Sequence, residues 1–140
     1  MNISVEHIAI PATDPVALKN WYERVLDARE VFNNGQNPPT CLISLGNVWF
    51  EIYAAEKPLP ERGNNKLAGF RHLALRVDSL EAAKMELEKR GVKFTEEIRP
   101  AAGAFCFLRT ARGICCIWWS GQRIRRWEKR RRPGVAPVSV

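Results

Sequence analysis

The chain holds two histidines, and each opens a matching string: His7-Ile8-Ala9-Ile10 and His72-Leu73-Ala74-Leu75, 65 residues apart. An imidazole is a neutral nitrogen donor. Two equivalent strands brought together can therefore offer two such donors to one metal ion. On a strand, alternate side chains share a face, so His7 lies with Ala9 and His72 with Ala74, whose small side chains leave room above the sheet. Glu51, in Trp49-Phe50-Glu51-Ile52-Tyr53, is a third candidate. A carboxylate inside so apolar a strand is costly unless it is paired or metal-bound. Two imidazoles and a carboxylate suit a divalent metal ion: Zn, Ni, Mn or Fe. Each residue also has a structural alternative, a satisfied histidine near a strand start or a carboxylate on an exposed edge. What favours the metal is that both histidines fall at the same point of an internal repeat.

The elements that must position these residues follow from local chemistry. Ile3 to Ile10 reads as a strand running into Pro11. Asp14-Pro15 starts a helix, with Asp as cap and Pro in the first turn. Val16, Leu18, Trp21, Tyr22, Val25 and Leu26 continue it at helical spacing. Arg29 to Phe32 is a second strand, followed by turn chemistry at Asn33-Asn34-Gly35. Cys41 to Leu45 and Val48 to Tyr53 form a hairpin turning at Gly46-Asn47. The order then repeats. Phe70 to Val77 is a strand, and Ser79 caps a helix that stops at Gly91. Val92 to Phe94 and Phe105 to Leu108 begin further strands. Laid over each other, the halves put Val31-Phe32 on Lys93-Phe94. The expected fold class is α+β, with two βαβββ modules at about 1–56 and 70–120. They make one domain over 1–120, followed by a basic tail, 121–140, expected to be disordered.

These strings resemble the vicinal oxygen chelate superfamily, which includes glyoxalase I, bleomycin and fosfomycin resistance proteins and extradiol dioxygenases. The matching text is Val5-Glu6-His7-Ile8-Ala9-Ile10, the Trp21-Tyr22-Glu23-Arg24-Val25-Leu26 helix, Trp49-Phe50-Glu51-Ile52, and His72-Leu73-Ala74-Leu75-Arg76-Val77-Asp78. The resemblance covers about residues 3–108. It implies paired modules that form a cupped mixed sheet, with helices on the outer face, around one metal, with ligands at His7, Glu51 and His72, usually in a homodimer. It further implies a lyase or isomerase acting on a small substrate with vicinal oxygens through an enediolate, with Glu51 as general base. A dioxygenase fits less well, because that branch often uses two pairs of modules. The alternatives are a bleomycin-resistance-type binding protein without catalysis, or an inactive family member. Asp27 stands where the family commonly has Gly.

The pattern breaks at the fourth ligand. Glu51 follows His7 by 44 residues, so its counterpart should lie near Cys116 or Ile117. Counting from Gly113, with the family's Gly-Asn-x-x-Glu as guide, puts Ile117 there, and isoleucine binds no metal. Composition breaks at the same place. The net charge is +7, yet residues 1–108 hold 13 basic and 14 acidic side chains, whereas residues 109–140 hold nine basic and one acidic. The last segment also carries Cys115-Cys116, Trp118-Trp119 and the Arg-rich stretch Arg123 to Arg132. A one-base frameshift near Arg109 accounts for all of this. Read one base earlier, the codon overlapping Ile117 begins with the last base of a Cys codon and continues AT, which encodes His or Tyr. A nucleic-acid- or membrane-binding tail is the weaker rival, since a basic run with one Trp is a poor signal. No run of about 18 apolar residues exists to span a membrane. The first residues lack the pattern of a leader, so a cytoplasmic protein with free thiols is expected. Arg71, Arg76 and Arg99 can meet an anionic substrate group or be plain surface charges.

Overall fold

A computed structural model of the chain describes residues 1, 3–58, 72–98, 104–109 and 115–120. The basic tail, 121–140, lies outside the described residues, as do residues 59–71, with Arg71, and Arg99. The element order is β1 (Ile8–Ala12), α1 (Pro15–Leu26), β2 (Arg29–Asn33), β3 (Cys41–Leu45), β4 (Val48–Ala54), β5 (His72–Arg76), α2 (Leu80–Lys89), β6 (Phe94–Ile98), β7 (Ala104–Arg109) and β8 (Cys115–Ser120). The strands form two four-stranded sheets of the same order, β1-β4-β3-β2 and β5-β8-β7-β6. In each, the first strand pairs in parallel with the last, and the remaining pairs are antiparallel. The fold is mixed α+β with curved, unclosed sheet, as the repeat implied.

Local chemistry sets the boundaries. The Asp14 carboxylate accepts from the Ala17 N–H at 2.9 Å, and Pro15 occupies the first helical position, where its missing N–H has no cost. Ser79 does the same for α2, accepting from the Ala82 N–H at 3.2 Å. Helix α1 ends at Asp27, which takes the left-handed conformation at φ 55°. Asp tolerates that region better than most residues. The β3–β4 hairpin turns at Gly46, whose φ of 60° explains the glycine.

Strand β1 differs from its expected bounds. It starts at Ile8 rather than Ile3, and it runs through Pro11 to Ala12, with Pro11 opposite Tyr53. Proline survives because β1 is at the edge of its sheet, where a missing donor is not needed by a neighbour. A bulge interrupts β2 at Val31 and β6 at Thr95, between Glu30 and Phe32 and between Phe94 and Glu96. Phe32 sits opposite Leu42 and Glu96 opposite Phe107. Phe32 therefore corresponds to Glu96, two residues further along than the sequence overlay suggested.

One face of the first sheet is the core. Ile10, Ala12, Cys41, Ile43, Phe50 and Ile52 are buried there against Leu18, Trp21, Tyr22 and Val25 of α1. Tyr22 stacks on Phe50 with centroids 5.8 Å apart, and Trp21 meets the Tyr22 ring edge-on at 5.3 Å. Truncating Phe50 to Ala would cost about 3–5 kcal/mol, the usual penalty for a large buried aromatic. Leu80 and Leu87 of α2 and Val92 join the same apolar cluster. Arg90 at the end of α2 donates to the Asp27 carboxylate at 2.8 Å and to the Val25 carbonyl at 3.1 Å. A cation there satisfies a free carbonyl at the C-terminus of α1 and complements the helix dipole. It also ties the two halves of the chain together.

Candidate metal centre

Alternation along the strands assigns the opposite face of the first sheet. Ala9 pairs with Glu51, and Glu51 with Leu42, so these three lie side by side on the face turned away from α1. Trp49 and Tyr53 flank Glu51 on β4, two residues to either side. This face is open. Ala9 and Pro11 are exposed and Trp49 is 41% exposed, whereas Phe50 and Ile52, pointing the other way, are buried. The small Ala9 leaves the Glu51 carboxylate accessible from above.

His7 is the residue immediately before β1, two positions from Ala9. Its Nε2 lies 3.6 Å from Glu51 Oε2. That separation is too long for a hydrogen bond. It matches two donors on one ion, because two metal bonds of about 2.1 Å at a tetrahedral angle hold their donor atoms about 3.4 Å apart. Both side chains are about one-third exposed, at 35% and 33%. The other ring nitrogen, Nδ1, is hydrogen-bonded to the Glu6 carboxylate. That contact raises the His7 pKa above its ordinary value against partial desolvation, and the charges of Glu6 and Glu51 add to the rise. The donor chemistry and spacing of His7 and Glu51 thus fit a divalent metal.

His72, the third expected ligand, opens β5 and is exposed. It stands two residues before Ala74, as His7 stands two before Ala9. Among the described residues no three His, Cys, Asp or Glu side chains gather as a metal-binding group, so His72 is not brought to the His7–Glu51 pair within the chain. The register also locates the missing fourth position. Ala74 pairs with Ile117, and Phe107 pairs with Ile117, just as Ala9 and Leu42 pair with Glu51. Ile117 is therefore the positional counterpart of Glu51, as the spacing indicated.

Glu6 is the site residue that sequence reasoning did not single out. The only signal was its place next to a candidate ligand. Away from the site, Lys19 forms ion pairs with Glu30 at 3.0 Å and Glu23 at 3.4 Å. The hydrogen bond from Lys19 holds the Glu30 carboxyl below its ordinary range, with Asn33 contributing, and Glu30 in turn raises the Lys19 pKa. Cys41 is a free, buried thiol whose pKa burial raises, with the Glu30 charge adding. None of these groups adjoins the open face. Among the described residues, no helix is long and apolar enough to cross a membrane.

Comparison with known proteins agrees with this fold. A family model described as Glyoxalase/Bleomycin resistance protein/Dioxygenase superfamily matches residues 4–111. The uncharacterized protein YwkD of Bacillus subtilis (strain 168) is 32% identical over 100 residues, 69% of this chain and 77% of its own length. Among solved structures, the fosfomycin resistance protein FosX from Listeria monocytogenes, complexed with Mn(II) and sulfate, superposes with a TM-score of 0.71 at 15% identity, covering 92% of this chain and 98% of that one. A glyoxalase family protein from Enterococcus faecalis gives 0.71 at 23% identity, covering 84% and 97%. At these identities the structural likeness is one of fold.

Proposed function

The chain belongs to the glyoxalase/bleomycin resistance protein/dioxygenase superfamily, and from that premise we propose that it is a metal-dependent lyase or isomerase acting on a small substrate with vicinal oxygens. The observation that carries this reading is the His7–Glu51 pair, 3.6 Å apart on the open face of the sheet. His7 and Glu51 would hold a divalent ion, and His72 would supply the third donor. The site is completed in a homodimer, by His72 of a second copy. Such an ion, when bound, would supply Lewis acidity toward two vicinal substrate oxygens. Glu51, detached from the ion, would take a proton from the hydroxyl-bearing carbon beside the carbonyl and return it to the former carbonyl carbon, while the hydroxyl proton passes to the former carbonyl oxygen. Ala9 leaves the space for the substrate, and the flanking Trp49 and Tyr53 exclude water from one side.

The test is a screen of 2-oxoaldehyde–thiol adducts with protein loaded separately with Zn, Ni, Mn and Fe. Turnover with at least one metal, lost on chelation and in Glu51→Gln, is expected. Turnover that survives chelation would remove the metal from the reaction, and a bound ligand with no turnover by any metal form would replace the enzyme by a binding protein of the bleomycin-resistance type.

Two observations favour a second reading, that this chain is an impaired family member. The position matching Glu51 is Ile117, and the family match ends at residue 111, before β8 begins. Both are accounted for by the frameshift near Arg109. The nucleotide sequence decides: the frame one base earlier should encode His or Tyr over Ile117 and continue as an apolar strand. A different string, or an early stop, removes the idea.

A further inference from the structure

Glu6 and His7 both precede the sheet, since β1 starts at Ile8. Neighbouring residues on a strand point to opposite faces. Free of the strand, Glu6 can turn back on His7, and its carboxylate is hydrogen-bonded to His7 Nδ1. The Glu6 side chain is 65% exposed, so burial does not hold it there. The opposite ring nitrogen, Nε2, is the one that lies 3.6 Å from Glu51. A carboxylate can only accept, so Nδ1 must carry the hydrogen, and the neutral ring then has its lone pair on Nε2. We propose that Glu6 is a positioning residue that fixes the His7 tautomer and ring orientation so that Nε2 faces the metal. The inference rests on the metal-site reading above, and it concerns a residue that never touches the metal. Outer carboxylates of this kind raise ligand basicity and orient the ring, and their loss costs about 10- to 100-fold in metal affinity.

Two readouts on the full chain test it. The first needs no metal: ¹⁵N NMR of the His7 ring in metal-free protein, at a pH where the ring is neutral. Wild type should carry its proton on Nδ1, and Glu6→Ala should move the population toward the Nε2–H form. Glu6→Gln, whose amide oxygen can still accept, should retain the wild-type tautomer in part. The second is Zn(II) affinity by competition with a chromophoric chelator. Glu6→Ala should bind about 10- to 100-fold more weakly, with Glu6→Gln between it and wild type. Glu88→Gln, on the exposed side of α2, removes the same charge elsewhere and should change neither readout. Identical tautomer populations in wild type and Glu6→Ala would overturn the proposal. If wild type binds no Zn(II) while the tautomer still shifts, the metal reading fails and the positioning role stands.

Discussion

At the scale of single residues, the open face is set by alternation and the pair upon it by proximity. Glu51 and Ala9 are opposite one another in the register, and His7 reaches Glu51 from just before the strand. That much was legible, because a carboxylate in an apolar strand needs a partner, and the repeated His marks where one lies. Glu6 was not legible. Its role depends on β1 beginning at Ile8, and a strand running from Ile3 would have sent Glu6 to the opposite face. A separate prediction concerns Lys19 and Glu30. The folded carboxyl of Glu30 titrates below its unfolded value, so its contribution is present above about pH 4.5 and is lost as pH falls through the folded pKa. Lys19 titrates above its unfolded value, so its contribution is present below about pH 10.5 and is lost as pH rises through its folded pKa. Glu30→Gln should therefore lower stability by about 0.5–1 kcal/mol between about pH 5 and 10, with the difference closing in stronger acid. Thermal unfolding of both proteins across pH checks this; a difference that widened in acid would contradict it.

At the scale of elements, the repeat holds in detail. The two sheets share strand order, pairing directions and even the bulge, at Val31 and Thr95. The bulge escaped sequence reasoning because one extra residue in an exposed edge strand changes no hydrophobic pattern. The shared architecture makes Ile117 informative: β8 lies in its sheet as β4 does, with an apolar residue at the position of the carboxylate. Installing the carboxylate, Ile117→Glu, should tighten metal binding about tenfold or more. Tenfold corresponds to about 1.4 kcal/mol, within the range of one charge-assisted contact. Calorimetric titration with Zn(II) measures it. Unchanged affinity in a folded variant would mean that β8 does not contribute to the centre.

At the scale of the molecule, the halves are joined by the Arg90 bridge to the end of α1 and by the apolar cluster that includes Leu80, Leu87 and Val92. Among the described residues His72 does not gather with His7 and Glu51 as a metal-binding group, and the proposed site draws it from a second copy. Mixing two defective proteins tests this arrangement. His7→Ala and His72→Ala homodimers should each bind metal weakly. After unfolding and refolding together, the heterodimers should hold one intact site and one doubly defective site, restoring tight binding in proportion to their number. No restoration, with heterodimers demonstrated by mass, would place the whole ligand set within one chain. Nothing in the sequence distinguished these two arrangements, because the spacing of ligands is the same in both.

The metal affinity of the full chain, against that of His7→Ala and Glu51→Gln, tests most directly whether His7 and Glu51 are ligands. Folding of each variant would be verified by circular dichroism and thermal unfolding. Wild type should bind one Zn(II) or Mn(II) per expected site, and each variant should lose affinity by more than about 100-fold, beyond the cost of losing an outer partner. A wild-type chain that binds no divalent metal, or variants that bind as wild type does, would contradict the assignment of His7 and Glu51 as ligands.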